Sequence, residues 1–218
     1  MNMTIKILYS DEFLAVAVKP VGVLSQPDRT GDQSMTEILS EQLGKPVYPI
    51  HRLDRSVGGV MVYAIDRKAA GKLSTAVVGK TFEKEYLAVI HGKPEKERDT
   101  LRDYLCHDGG KNMASVGKES DKGAKPASLS YERMAVTEDD AFSLVRVRLH
   151  TGRTHQIRVQ FASRGMAVAG DSKYGARDRH PLSLWSFRLG FRHPVNNKRL
   201  VFTEFPDITA VPWNYFSL

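Results

Sequence analysis

The polar stretch HRLD, at residues 51–54, combines side chains that could do chemistry with a support that could hold them. Its carboxylate, Asp54, stands among arginines and is followed by Gly58–Gly59 and an apolar run, Val60–Ile65, that predicts a buried strand. An ionised carboxylate on a loop in front of such a strand can act as a nucleophile. A charged turn that merely leads into the core is the alternative interpretation.

Three further stretches combine polar residues and glycine in ways that a hydrophobic core does not require: KPVGVLSQP from Lys19, KEY at 84–86, and LHTGRTHQIRVQFASRGMAVAGDSKYG from Leu149. In KEY, Lys84 and Tyr86 share one face of an alternating strand. A lone strand tyrosine is usually a core residue, but a core face rarely holds a lysine as well. On a helix, Arg158 lies off the apolar stripe of Ile157 and Phe161 and can face a cleft.

Metal and thiol chemistry fit the sequence less well. The spacings of His51, Asp54, His150 and His155 match no common set of metal ligands, so we expect no metal site. The single cysteine, Cys106, has no partner pattern around it and excludes an internal disulfide. One thiol is compatible with a reducing compartment, and we therefore expect a cytoplasmic protein.

The composition is that of a globular protein with an anionic partner. The chain has 218 residues, of which 41% are hydrophobic and 26% are charged. It contains no apolar run near the roughly 20 residues that cross a bilayer, so we expect no membrane association. The net charge of +7 favours a polyanion, because Lys and Arg gain free energy when they neutralise phosphates.

Local patterns predict the elements that must position these residues. Strands are predicted across Ile5–Val18 as a broken pair, at Val60–Ile65, from Thr81 onward, and at Ser128–Val136, Val145–Leu149, Leu184–Phe191 and Leu200–Phe205. Helices are predicted at Ser34–Leu43, at Arg67–Val78 and over THQIRVQFASRG.

The segment at residues 106–127 is rich in Gly, Lys, Ser and Asp, and we expect it to be a mobile loop. Strand patterns resume directly after it, so it does not separate two domains. No repeat or linker interrupts the chain. The sequence therefore predicts an α+β protein with one domain over residues 1–218.

Taken together, the four motifs resemble the signature of the RluA-like family of pseudouridine synthases. That family has an HRLD loop, a K-x-Y strand, a T-G-R-x-H-Q-I/L-R-V segment and a G-D-x-x-Y-G turn, and all four occur here in the same order. The resemblance implies a single catalytic domain with a mainly antiparallel mixed β-sheet flanked by helices and loops. It also implies isomerisation of uridine to pseudouridine in structured RNA, a reaction that needs neither cofactor nor metal.

The resemblance assigns roles to individual residues. Asp54 is implied as the nucleophile, Arg158 as the cation that accompanies it, and Tyr86 as a ring that stacks on uracil or assists a proton transfer. Arg52 is implied to occupy the space that a flipped base leaves. The expected RNA contacts are His51, Arg52, Lys84, Arg153 and Lys19, although Lys19 is equally well interpreted as a solvated side chain.

Some positions depart from the family pattern. Val57–Gly58 replaces a usual Thr-Ser, Trp185–Ser186 replaces a frequent His-Ala, and Gln160 replaces a common His. We expect these changes to affect the geometry of the HRLD loop and the choice of substrate. The first family-like strand begins near residue 5, so we expect a minimal form without an N-terminal S4-type domain and without an obligate protein partner.

Such a form must recognise RNA with its own basic surface, and a hairpin loop offers the uridine that is easiest to flip. We therefore expect a tRNA stem-loop or an rRNA hairpin as substrate. One alternative is a non-catalytic RNA-binding or assembly protein of the same fold. Another is a glycosidase, but that would need a second carboxylate; Asp171 is the nearest contender, and its turn context indicates a structural role.

Overall fold

The structure is a computed structural model that describes residues 3–79 and 81–217. These residues form two compact units. The first runs through Lys84 and includes Trp185–Pro206, and the second comprises Glu85–Leu184 with the segment from Asp207 onward.

Eleven strands and three α-helices lie in the described residues. The strands are β1 (Ile7–Ser10), β2 (Leu14–Lys19), β3 (Tyr48–Pro49), β4 (Gly58–Ala64), β5 (Glu83–His91), β6 (Arg98–Asp108), β7 (Met113–Gly117), β8 (Lys125–Val136), β9 (Phe142–Leu149), β10 (Leu184–Arg192) and β11 (Arg199–Thr203). The helices are α1 (Met35–Leu43), α2 (Arg67–Val78) and α3 (Gln156–Ala162). Within the described ranges, no helix is both long and apolar enough to cross a membrane.

In the first unit the strand order is β1–β2–β4–β10–β11, with β3 also paired to β4. The β4–β10 pair is parallel and the others are antiparallel. Helix α2 buries Ala69 and Leu73 in a core that includes Val62 and Phe191. The loop before β4 therefore lies at the amino-terminal ends of two neighbouring parallel strands.

In the second unit the strand order is β5–β9–β8–β6–β7, and every pair is antiparallel. Val159 of α3 packs with Leu105, Ala114 and Ala127 from this sheet. A short 3₁₀ turn at Ser172–Tyr174 follows α3 along the chain. The mainly antiparallel α+β fold predicted from the sequence is confirmed.

The helix boundaries follow the local signals in the sequence. Ser34 caps α1 in a reciprocal pair with Glu37, and Gly44 ends the helix in the left-handed region at φ 64°. Asp66 caps α2 by accepting a hydrogen bond from the Ala69 amide at 2.8 Å. The predicted α1 and α2 are confirmed.

The prediction of a mobile loop at residues 106–127 is wrong. This segment contains the end of β6, all of β7 and the start of β8, and β6 pairs with both β7 and β8. Asp108 holds the turn between β6 and β7 by accepting hydrogen bonds from the amides of Gly110 and Lys111. The inward residues include two alanines, Ala114 and Ala127, so the alternation is hard to recognise from composition.

Candidate active site

Asp54 lies on the loop between β3 and β4, four residues before β4 begins. Asp54 is half-buried. The Asp54 carbonyl accepts a hydrogen bond from the Val57 amide at 2.9 Å, so the carboxylate projects from a closed turn. A nucleophile needs such a fixed backbone, because small displacements cost much of the rate.

A buried lysine supports this turn from below. The ammonium of Lys19 donates hydrogen bonds to the carbonyls of Pro20 at 2.9 Å, Arg55 at 3.1 Å and Val57 at 2.8 Å. Arg55 and Val57 follow Asp54 in the turn, so one side chain holds the backbone on the carboxyl side of the nucleophile.

The rest of the KPVGVLS loop holds the same turn through its backbone and a serine. The Ser25 hydroxyl donates to the Leu53 carbonyl at 2.8 Å and accepts from the Leu53 amide at 3.0 Å. The Gly22 amide donates to the Arg55 carbonyl at 2.8 Å, and Arg55 Nε donates to the Gly22 carbonyl at 2.9 Å. The turn around Asp54 is thus fixed on both sides.

The expectation that Lys19 contacts RNA phosphates is wrong. Its side chain is fully buried, and its three N–H donors are used by the three carbonyls. Burial lowers the pKa of Lys19 to about 8, and attraction to the Asp54 carboxylate opposes this shift. Lys19 is a positioning residue for the loop that carries Asp54.

We expect Lys19→Met to lower turnover roughly 10- to 100-fold and leave RNA affinity nearly unchanged, because the turn shifts while phosphate contacts remain. The folded-state pKa of about 8 lies below the ordinary 10.5, so between these pH values the unfolded chain binds more protons. Over this window the stability of the wild type relative to the variant should rise with pH. The rise should be at most about 1.4 kcal/mol per pH unit, measured by urea unfolding.

Lys6→Met is the matched control, because Lys6 is exposed and pairs with Glu204 at 2.7 Å. Its stability relative to the wild type should not change in this way above pH 8. If the stability difference between the wild type and Lys19→Met depended as little on pH as that between the wild type and Lys6→Met, the assignment of a buried ammonium would be contradicted.

His51, Arg52 and Lys84 are surrounded differently from one another. The His51 ring lies 5.5 Å from the Phe82 ring, and its Nε2 accepts a hydrogen bond from the Val62 amide at 3.3 Å. Burial and the charge of Lys84 lower the pKa of His51 to about 3, so the imidazole is neutral at pH 7. Burial also lowers the pKa of Lys84. Arg52 is exposed. His51 therefore presents a neutral ring, whereas the neighbouring Arg52 presents a positive charge to solvent.

Two of the departures from the family pattern are structurally linked. Gly58 lies opposite Trp185 in the parallel β4–β10 pair. A Cβ on Gly58 would lie 2.3 Å from the Trp185 ring, so residue 58 must lack a side chain while Trp185 is present. Gly59 has φ +121°, and a Cβ there would lie 2.2 Å from the Ser186 carbonyl oxygen, so this position also requires glycine.

Gly58→Ser should therefore destabilise the protein by about 1–3 kcal/mol and reduce activity, because the added atoms overlap the indole next to the Asp54 loop. Adding Trp185→His should restore most of both losses by removing the ring contact, and the four proteins form a double-mutant cycle in urea unfolding. Gly71→Ser is the control, since a Cβ there meets no atom within 4 Å. If the losses of stability and activity in the double variant equalled the sum of those in the two single variants, the structural link between Gly58 and Trp185 would be contradicted.

Tyr86 and Arg158 belong to the second unit. Tyr86 lies on β5 opposite Val147 of β9 and is 5% exposed. Arg158 lies on α3 and is also buried. Its Nε and Nη2 donate to the two carboxylate oxygens of Asp171, each at 2.7 Å. Such a two-point contact fixes the plane of the guanidinium as well as its position.

An aromatic ring completes the support of Arg158. The guanidinium carbon lies 5.1 Å from the centre of the Tyr174 ring, within the range of a cation–π contact. The Tyr174 hydroxyl accepts a hydrogen bond from the Ala114 amide at 2.8 Å and bonds His155 Nδ1 at 2.8 Å. The G-D-x-x-Y-G turn thus supplies both the anion and the ring that hold Arg158.

Asp171 and Tyr174 are the residues whose function the sequence interpretation missed. Both stand in a recognised motif, but the motif indicated only a turn. Arg153 is half-buried, and its Nε donates to the Pro126 carbonyl at 3.1 Å. Its proposed contact with RNA stays a prediction. In residues 3–79 and 81–217, no group of three or more His, Cys, Asp and Glu side chains is placed to hold a metal ion.

Known proteins are similar to this chain over most of its length. Residues 14–163 match the family described as RNA pseudouridylate synthase, and this range contains Asp54, Tyr86 and Arg158. A "tRNA pseudouridine synthase C" from Pasteurella multocida is 33% identical over 220 residues, which cover 91% of this chain and 90% of that protein. An "Uncharacterized RNA pseudouridine synthase" from Aquifex aeolicus is 32% identical and covers 92% of this chain and 69% of its own length.

Solved structures show the same fold. "Human RNA Pseudouridylate Synthase Domain Containing 1" superposes with a TM-score of 0.77 at 23% identity, covering 96% of this chain and 86% of that one. "Human RNA Pseudouridylate Synthase Domain Containing 4" gives the same TM-score at 21% identity. The chain therefore belongs to the RluA-like family of RNA pseudouridine synthases, and it is an enzyme that isomerises uridine to pseudouridine in RNA.

Proposed function

We propose that this enzyme modifies uridine in tRNA, in the cytoplasm, with Asp54 as its nucleophile. The observation that carries the nucleophile is the closed turn that holds the half-buried Asp54, with the buried Lys19 ammonium bonded to the backbone of the same turn. The tRNA assignment is supported by the likeness to the Pasteurella multocida tRNA pseudouridine synthase C, which extends over nine-tenths of both chains.

The reaction rearranges bonds without net gain or loss of atoms. The Asp54 carboxylate attacks an electrophilic carbon, either C1′ of the ribose or C6 of the base. The bond between N1 and C1′ breaks, the uracil turns within the pocket, and a bond forms between C5 and C1′. The covalent bond to Asp54 also breaks before the product leaves, which returns Asp54 to its carboxylate form. The hydrogen on C5 leaves as a proton, and N1 gains one. No oxidant or reductant enters this balance.

Tyr86 and Arg158 are assigned to the substrate and to the charges that develop on it. The Tyr86 ring can stack on the uracil once the base has left its RNA helix. The guanidinium of Arg158, held by Asp171, is assigned to the negative charge that builds up during bond cleavage. Arg52, exposed next to the nucleophile loop, is assigned to the space that the flipped nucleotide leaves.

A tRNA loop is a suitable source of such a base. Extruding a nucleotide costs a few kcal/mol in a paired helix and least where the base is already unpaired. We therefore place the target uridine in a loop of the folded tRNA, with the adjoining stem held through its phosphates.

Unmodified tRNA and rRNA transcripts offered to the enzyme in parallel test this assignment. Pseudouridine should form in at least one tRNA at enzyme concentrations that leave the rRNA unchanged. Formation confined to rRNA would replace the tRNA assignment. Tight binding to both pools with no pseudouridine in either would favour the non-catalytic RNA-binding alternative.

A further inference from the structure

Two segments of the first unit carry a concentrated positive charge. Residues 67–79 and 184–203 contain seven Lys and Arg residues and no Asp or Glu, whereas the net charge of the whole chain is +7. The first segment forms α2, and the second forms the β10–β11 hairpin. The excess charge of the protein is therefore located in one helix and one hairpin.

The helix and the hairpin lie against each other. Lys72 of α2 donates from Nζ to the Pro194 carbonyl, in the β10–β11 turn, at 2.9 Å. Beneath this contact, Leu73 of α2 and Phe191 of β10 belong to one hydrophobic core. Five exposed cations on the two elements define what we call the basic surface: Arg67, Lys68, Lys72, Arg192 and Lys198.

These charges stand where they destabilise the elements that carry them. Arg67 and Lys68 occupy the first turn of α2, where the helix dipole is positive and which has no acidic residue beyond the N-cap Asp66. Lys68 and Lys72 are four residues apart on one helix face and repel each other. An anionic partner would offset this repulsion.

The hairpin shows the same pattern. Arg192 lies directly opposite Arg199 in the β10–β11 ladder, a like-charge pair that weakens a hairpin. Glu83 pairs with Arg199 at 2.9 Å and with Arg188 at 3.2 Å, beside the basic surface. Among the described residues, no carboxylate forms an ion pair with any of the five cations of the basic surface.

The basic surface is distant from the nucleophile within the same unit. Asp54 precedes the amino-terminal end of β4, while α2 starts three residues after the carboxyl-terminal end of that strand. Strand β4 has seven residues, which span about 20 Å at roughly 3.3 Å per residue. An A-form RNA helix rises by about 3 Å per base pair, so this distance corresponds to roughly six to seven base pairs of a stem.

We propose that the basic surface binds the backbone phosphates of an RNA stem about six to seven base pairs from the uridine that reacts at Asp54. Five cations spread over a helix and a hairpin suit a polyanion, because each can neutralise a separate phosphate. The inference rests on the proposed function in that the same RNA must reach Asp54. It makes stem length a determinant of substrate affinity.

The test compares the wild type with K68Q/K72Q/R192Q/K198Q on two transcripts of one tRNA stem-loop, with stems of four and ten base pairs. For the wild type, KM on the short stem should be about tenfold higher than on the long stem. The variant should lose this difference and keep its kcat, because the surface lies far from the reacting base. A plot of the logarithm of its RNA-binding constant against the logarithm of the salt concentration should have a slope that is less steep by about three, because four phosphate contacts are lost.

The charge-matched control is K6Q/K45Q/K93Q/K96Q, whose lysines are exposed and lie outside the basic surface. It should keep the stem-length difference and most of the salt dependence. A wild type indifferent to stem length, or a K68Q/K72Q/R192Q/K198Q variant that behaves like the control, would overturn the proposal. The proposal would also be overturned if K68Q/K72Q/R192Q/K198Q bound RNA like the wild type and lost only binding to phosphatidylserine vesicles.

Failure of the tRNA assignment gives a different result. In that case the wild type would convert neither transcript, while the salt dependence of binding would still distinguish the two variants. The two proposals can therefore be judged separately from the same set of proteins.

Discussion

Asp54→Asn should abolish turnover while leaving RNA binding nearly intact. The amide keeps the size and the half-buried position of the side chain but cannot attack as a carboxylate does. Loss of a nucleophile in other enzymes lowers kcat by factors on the order of 10⁴ to 10⁶, and we expect a fall in that range. Affinity should change less than about threefold, because phosphate contacts dominate binding. Single-turnover isomerisation rates and filter binding measure the two quantities.

Asp32→Asn is the matched control for this substitution. Asp32 is exposed and pairs with Arg55, the residue after Asp54, at 2.6 Å. An exposed ion pair contributes about 0–1 kcal/mol, so the control should retain at least half of the wild-type rate. An Asp54→Asn enzyme within tenfold of the wild-type rate would remove Asp54 from the role of nucleophile.

Asp171→Asn should lower turnover by about 10- to 100-fold, again with RNA affinity largely retained. Asp171 is 1% exposed, and its two oxygens hold Arg158 in one orientation. An amide provides one acceptor and turns two donors toward the guanidinium, so Arg158 loses both its counter-charge and its fixed plane. A positively charged group displaced by about 1 Å can cost two orders of magnitude in rate.

The substitution should also destabilise the protein by roughly 3–5 kcal/mol, because it leaves a buried charge without its partner. A merely structural role would produce this loss without a fall in the turnover of the folded fraction. Asp178→Asn separates the two cases, since Asp178 accepts hydrogen bonds from Gly170, His180 and His91 but not from Arg158. It should lower stability and keep kcat. Equal kcat in Asp171→Asn and Asp178→Asn would contradict the positioning of Arg158 by Asp171.

Elements with strong local signals were predicted well from the sequence. The Ser34 and Asp66 caps and the left-handed Gly44 define helix ends within a few residues of chain, so no tertiary information is needed. The HRLD motif likewise identified a loop followed by a buried strand, and β4 begins at Gly58.

Features that depend on distant contacts could not be predicted. A lysine at the end of a strand is usually interpreted as a surface residue, although the five preceding residues of this strand are all apolar. Only the fold shows that the carbonyls of Arg55 and Val57 accept hydrogen bonds from Lys19. The pairing of Arg158 with Asp171 joins residues 13 positions apart across a turn. No periodicity encodes such a contact.

The prediction for the β6–β7 hairpin was wrong because of its composition. Its exposed face is rich in polar residues and its inward face uses small residues such as Ala114, so the average resembles a loop. The link between Gly58 and Trp185 was visible only as two unrelated departures from a family pattern, because the parallel β4–β10 pairing that joins them is tertiary.

Release of tritium from tRNA labelled at C5 of uridine is the most direct test of the central claim. The C5 hydrogen must leave when the C5–C1′ bond forms, whereas the mass of the nucleoside does not change. The wild type should release one tritium to water for each pseudouridine formed, and Asp54→Asn should release none above background. Release by Asp54→Asn at the wild-type rate, or none by a wild type that binds the RNA, would contradict the account.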